Sequence, residues 1–126
     1  MDEHAAAAPT LGDVRRAAER IRGRVRLTPL IEAAPTRDHT AVAAQLCLKL
    51  ESLQVTGSFK ARGASNAVAL LEPSALARGV VTASGGNHGL AVAYAAWTAG
   101  VAATIYLPGN VPLAKVRKLQ VWAPRS

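Results

Sequence analysis

Gly79-Val80-Val81-Thr82-Ala83-Ser84-Gly85-Gly86-Asn87-His88-Gly89-Leu90 is the stretch that decides the fold. It opens with β-branched residues, passes through a glycine-rich turn, and continues from Asn87 to Ala99 as an alanine-rich run. That order spells strand, tight turn, helix. After Gly100, residues 102–107 read as a second strand, closed by Pro108-Gly109. No Asp, Glu, Lys or Arg stands between Arg78 and Lys115. Leu90 to Leu107 reaches the about 18–20 residues at which a membrane span is weighed, but its alanines and Gly100 divide it into helix and strand. A helix and a strand that are apolar all round predict a parallel sheet buried on both faces by crossover helices.

Upstream, Ser58 opens a helix with Ala61, Ala64, Val68 and Leu71 on one face and Pro73 as its terminator. Leu46, Leu48 and Leu50 alternate with Cys47, Lys49 and Glu51, which predicts a strand with one face buried, followed by a loop from Ser52 to Gly57. Thr28-Pro29-Leu30 is extended, because the proline ring disfavours helical backbone at the residue before it. Thr10 and Asp13 form a capping-box pattern that opens a helix ending near Arg24 to Arg26. Val111 to Gln120 reads as the first turns of another helix. The order β, α, β, α, β, α predicts an α/β chain of parallel-sheet βαβ units.

Half of the 126 residues are apolar, enough for the core of about one domain, and this excludes disorder, collagen and coiled coil. The net charge of +7 is concentrated in Arg15, Arg16, Arg20, Arg22, Arg24 and Arg26. These arginines flank an apolar stripe at Val14, Ala18, Ile21 and Val25, and aromatics make up only 4% of the chain, so they read as a solvated helix face and not as a nucleic-acid patch. Cys47 is the single cysteine and allows no internal disulfide. The start Met1-Asp2-Glu3-His4 lacks the basic and apolar regions of a signal peptide, which predicts a cytoplasmic location. Residues 1–10 are expected to be disordered.

Two motifs carry chemistry. Thr56-Gly57-Ser58-Phe59-Lys60-Ala61-Arg62-Gly63 puts a lysine in the first turn of a helix, where the dipole opposes positive charge by a few tenths to about 1 kcal/mol. Stability alone does not choose that placement. It suits an amine that serves as nucleophile or is held as an imine, although a solvent-facing lysine satisfies the pattern equally. In Ser84-Gly85-Gly86-Asn87-His88-Gly89, glycines let backbone N–H groups converge on an anion at a helix start, and Asn87 adds a side-chain donor. The spacing is not that of a dinucleotide fingerprint. His88 reads as a structural donor before it reads as a base.

In this order the two motifs resemble the pyridoxal-phosphate (PLP) enzymes of the tryptophan-synthase-β-like fold, and within them the threonine/serine dehydratases. Thr28-Pro29-Leu30, Leu48 to Gln54, and Leu107-Pro108 with Lys115 extend the likeness. The resemblance implies that Lys60 forms the Schiff base with PLP, that Phe59 packs on the pyridine ring, and that Asn87 hydrogen-bonds the cofactor. It also implies that backbone at Ser84, Gly85, Gly86, Asn87 and His88 holds the substrate carboxylate. No metal is expected. The implied reaction is β-elimination of water from L-threonine or L-serine, giving a 2-oxo acid and ammonia, with racemisation or β-replacement as alternatives. Gly85 stands where racemases carry a catalytic serine, Ala61 replaces the aspartate of threonine synthases, and Phe59 replaces the small residue of many cysteine synthases. All three favour the dehydratase.

Such enzymes are much longer than this chain. Residues 11–78 are therefore expected to begin a large PLP domain, and residues 79–126 to form an incomplete small domain. Val121-Trp122-Ala123-Pro124-Arg125-Ser126 stands where the family tends to read Leu-Gly-Ala-Glu-Val. One codon set for those six residues encodes Leu-Gly-Ala-Glu-Val when read two bases later, so the tail is expected to follow a frameshift near Gln120. The chain alone is then an inactive fragment of an enzyme that takes an amino-acid substrate, binds neither nucleic acid nor membrane, and forms a homo-oligomer at full length. A decayed remnant or a basic binding module is the non-enzymatic alternative.

Overall fold

The strand, turn and helix of the deciding stretch form as their side chains dictate in the computed structural model, which describes residues 8–33 and 46–122. Strand β3 (Val80–Ala83) enters the glycine turn, helix α4 (Asn87–Ala99) leaves it, and β4 (Ala103–Tyr106) returns beside β3. The two strands pair in parallel, with Val80 opposite Ala103 and Ala83 opposite Tyr106. Helix α4 begins and ends where the glycines on either side of it predict. Before it come α1 (Leu11–Arg20), β1 (Leu30–Glu32), β2 (Cys47–Lys49), a single 3-10 turn (Glu51–Leu53), α2 (Lys60–Ala69) and α3 (Pro73–Ala77); α5 (Leu113–Gln120) follows. Expectations for residues 1–7 and for the tail beyond Trp122 lie outside the described residues.

The core sits between α2 and α4. Ala64 and Val68 of α2 meet Ala91 and Ala95 of α4, with Leu76, Val80, Val92 and Ala99 packed around them. Small side chains allow the helix backbones to approach closely, and this is the most extensive contact between elements among the described residues. Midway along α4, the Tyr94 hydroxyl donates to the Arg24 carbonyl. Trp122 packs edge-on to Tyr94 at 4.9 Å and lies 5.2 Å from Trp97, centroid to centroid.

Several local expectations need correction. Thr10 and Asp13 do form the reciprocal capping box, but α1 ends at Arg20 and not near Arg24 to Arg26. Gly23 turns the chain there with φ of 75°. Ile21 is buried just beyond the helix end, while α1 itself buries none of its residues, so the expected stripe does not act as a packed face. Pro73 opens α3 at its first position, where its missing N–H costs nothing, instead of only ending α2.

The strand around Leu48 does not have one face buried. It pairs antiparallel with β1, and every residue of that two-stranded ribbon is exposed, because no helix layer packs on it among the described residues. The parallel pair is not buried on both faces either. Val80, Thr82, Ala103 and Ile105 are partly covered, whereas Val81, Ala83, Thr104 and Tyr106 are open. Helix α4 covers one side, and the described chain supplies no second layer.

Candidate active site

Lys60 is the first residue of α2, and a run of backbone turns delivers it. The Gly57 N–H donates to the Gln54 carbonyl at 2.8 Å, and Gly57 adopts φ of 76°, a left-handed conformation that a side chain would strain. Phe59 caps the helix without a side-chain hydrogen bond. Both Phe59 and Lys60 are exposed, and the Lys60 amine lies 5.0 Å from the centre of the Phe59 ring.

The asparagine turn starts α4 in the same way. Gly86 is the N-cap and supplies no side chain, so the first N–H groups of the helix remain available to an anion. The Gly86 N–H donates to Ser84 Oγ at 3.3 Å. Gly89 is required by contact: a Cβ there would stand 2.1 Å from the Ser84 carbonyl oxygen. At Gly85 a Cβ would meet Val111 Cγ2 at 2.9 Å. Asn87 and His88 are exposed on the first turn.

The candidate residues line open cavities. One, of about 400 Å³, is lined by Phe59, Lys60, His88 and the apolar side of α2 and β3. A second, of about 260 Å³, is lined by Gly85, Gly86 and Asn87 together with Thr56, Lys115 and Lys118. Ser84 and Gly85 edge a third beside Tyr106 and Pro108. Phe59, Lys60 and His88 thus share one cavity, and Gly85 to Asn87 share the next. Lys118 carries no signal as a site residue in the sequence, because nothing local distinguishes a lysine on an amphipathic helix. The same is true of the Glu51–Arg62 pair, in which the guanidinium donates to both carboxylate oxygens at 2.9 and 2.7 Å. Hydrogen bonds from Arg62 hold the Glu51 carboxyl at about 2, well below its ordinary 4.5.

These residues fit PLP. Phe59 offers an open aromatic face, Lys60 an exposed amine beside a cavity within the size range of small-molecule sites, and the uncapped start of α4 a set of donors for an anion. Among the described residues, no group of His, Cys, Asp and Glu could hold a metal ion. No helix among them is long and apolar enough to cross a membrane.

Comparison with known proteins agrees. The profile of the family described as "Pyridoxal-phosphate dependent enzyme" matches residues 21–124. A protein of Sinorhizobium fredii named as a threonine dehydratase is 47% identical over 111 residues, covering 88% of this chain and 33% of its own. The L-threonine ammonia-lyase of Thermotoga maritima is 42% identical over 109 residues, 86% of this chain and 27% of the lyase. The structure of maize serine racemase superposes with a TM-score of 0.80 at 36% identity, over 94% of this chain and 36% of the racemase. This chain spans about a third of the length of the curated relatives it matches.

Proposed function

Because this chain belongs to the pyridoxal-phosphate dependent enzyme family, we propose that it is the lysine- and asparagine-bearing segment of a threonine/serine ammonia-lyase. That enzyme removes water from the hydroxy amino acid and yields a 2-oxo acid and ammonia. The observation that carries the reading is the exposed Lys60 amine beside the Phe59 ring at the start of α2. In this reading residues 11–78 belong to the larger PLP domain and residues 79–126 to the smaller, and the enzyme is cytoplasmic and homo-oligomeric.

PLP, when bound, supplies an electron sink for the electrons of the α C–H bond. The chain's own residues do the rest. Lys60 would hold the cofactor through its amine and, as a free amine, would take the α-proton as general base. Phe59 would pack against the cofactor's ring with its exposed side chain. Asn87 would donate from its side chain to an oxygen of the cofactor. The N–H groups from Ser84 to His88 hold the substrate carboxylate at the positive end of α4. Gly85 offers no hydroxyl that could deliver a proton to the opposite face of the substrate, and Val111 crowds the space beside it. This pairing favours elimination over racemisation.

The test is a chimaera in which residues 8–122 replace the matching segment of the Thermotoga lyase. It should release 2-oxobutanoate from L-threonine, and Lys60→Ala should abolish release. Normal turnover by the alanine variant would end the assignment of Lys60. D-serine formed faster than keto acid would move the reading to a racemase, in line with the likeness to the maize enzyme.

A further inference from the structure

Lys60 stands in a helical turn that has no cap of its own. Phe59, at the N-cap, makes no side-chain hydrogen bond, and no acidic residue lies in the first turn. The hydroxyls of Thr56 and Ser58, just upstream, are buried without a hydrogen-bond partner. Arg62, in the same turn as Lys60, brings a second cation to the end of the helix where the dipole opposes it. Left to local forces, this turn would fray.

It is held from outside. The Arg62 guanidinium donates through Nε to Glu51 Oε2 at 2.9 Å and through Nη2 to Glu51 Oε1 at 2.7 Å, a two-point fork that a lysine cannot make. Nη2 also reaches Thr28 Oγ1 at 3.3 Å, and the Thr28 hydroxyl donates to Glu51 Oε1 at 2.5 Å. Thr28 is only 4% exposed. Its carbonyl accepts from Lys49 Nζ at 2.5 Å. Beside it, Gln54, 2% exposed, brackets Arg26: its Oε1 accepts from the Arg26 N–H at 2.8 Å and its Nε2 donates to the Arg26 carbonyl at 3.0 Å. Three segments separated in sequence, around residues 26–28, 49–54 and 60–62, therefore meet in one network.

We propose that Glu51 and Arg62, joined through Thr28, are positioning residues for Lys60: their fork fixes the first turn of α2 and so fixes where the lysine amine is presented. The inference rests on the reading of Lys60 as the cofactor lysine. Arg62 supplies the anchor because it lies within the turn it holds. Glu51 both neutralises it and receives the Thr28 hydroxyl. Neither residue lines the cavities that contain Lys60 or Asn87, so their effect passes through the backbone.

The experiment uses the whole 126-residue chain, with Glu51→Gln, which keeps the shape and loses the charge, and Arg62→Lys, which keeps the charge and loses the fork. Amide hydrogen exchange is read in the first turn of α2 and along α4. The lysines are also reductively methylated with isotope-labelled formaldehyde and observed by carbon–proton correlation NMR, in which the Phe59 ring shifts the Lys60 signal. Each variant should raise exchange at Arg62 to Ala64 about tenfold, the worth of one charge-assisted hydrogen bond discounted for partial exposure. Exchange in α4 should not move. The Lys60 methyl signal should drift to the position of an unstructured lysine, while those of Lys115 and Lys118 stay in place.

An unchanged first turn, or an unmoved Lys60 signal, overturns the proposal. So does an equal rise of exchange through α4, which would make the pair a support of the whole fold. If the glutamine variant fails to fold, Arg62→Lys carries the test alone. Failure of the underlying reading shows elsewhere, as activity that survives Lys60→Ala in the chimaera, and leaves the exchange and NMR results intact.

Discussion

Two cations, Lys60 and Arg62, share a helical turn that contains no carboxylate, and the compensating charge comes from Glu51, which stands in a different element. This arrangement has a pH signature. Hydrogen bonds from Arg62 and Thr28 hold the Glu51 carboxyl at about 2 against an ordinary 4.5. A depressed carboxyl stabilises the fold fully above its unfolded value and loses that contribution as pH falls through its folded value. Stability should therefore drop between about pH 4.5 and about pH 2, and Glu51→Gln should flatten the drop in urea titrations. Asp13 is also held at about 2 by Thr10 and Arg16. Its depression comes first from the Thr10 hydrogen bonds, which salt does not screen, so the share that belongs to Glu51 is the part of the drop that Glu51→Gln removes. Gly89 makes a second residue-level demand. With only 2.1 Å between a would-be Cβ and the Ser84 oxygen, Gly89→Ala must push backbone against backbone. It should cost about 1–3 kcal/mol in chemical denaturation, the usual penalty of overpacking. Lys60 and Asn87 were legible as candidates because each sits beside a glycine turn at a helix start. The Glu51–Arg62 fork was not, since nothing in the spacing of the two residues says that a 3-10 turn brings them together.

Elements were legible where their signals are local. Gly86 and Gly100 bracket α4, and the helix runs from Asn87 to Ala99 as read. The apolar face of α2 at Ala61, Ala64 and Val68 is buried as its spacing predicts, but Leu71, expected on the same face, lies beyond the helix end at Ala69 and is exposed. The end of α1 is hidden in the sequence because Val14, Ala18, Ile21 and Val25 keep helical spacing through Gly23, which turns the backbone without altering the pattern. Strand partners were the least legible. Alternation around Leu48 identifies a strand, but the choice of an antiparallel neighbour at Leu30–Glu32 depends on where the chain returns. The α2–α4 contact leads to a direct prediction. Ala95 is 1% exposed against the other helix, so Ala95→Leu should force the helices apart and destabilise by about 1–3 kcal/mol. Ala114→Leu, on exposed α5, is the control and should leave the denaturation midpoint nearly unchanged.

For the whole molecule, the governing fact is that each pair of strands stands alone among the described residues. Val81 and Tyr106 project 68% and 65% exposed from the open face of the parallel pair, and no described strand pairs with the outer edges of β3 and β4. Such edges recruit other chains. The 126-residue polypeptide should therefore associate as its concentration rises in sedimentation velocity, and Val81→Lys should suppress that association. A monomer at every concentration would count against the open-edge account. The α/β class and the parallel βαβ unit could be read from the run between Arg78 and Lys115, but the open face could not, because an apolar pattern records the need for a cover without saying which segment supplies it. The helix pair beneath the site has the opposite character. Ala64, Ala91 and Ala95 have no side-chain rotamers to rearrange, so the gap between α2 and α4 is set largely by methyl groups and the peptide backbone. It acts as a fixed gauge: warming can loosen long side chains elsewhere, yet the contact between the lysine-bearing and asparagine-bearing helices adds to its alanines only the stiff, β-branched Val68, and their separation should hold until the pair melts as a unit.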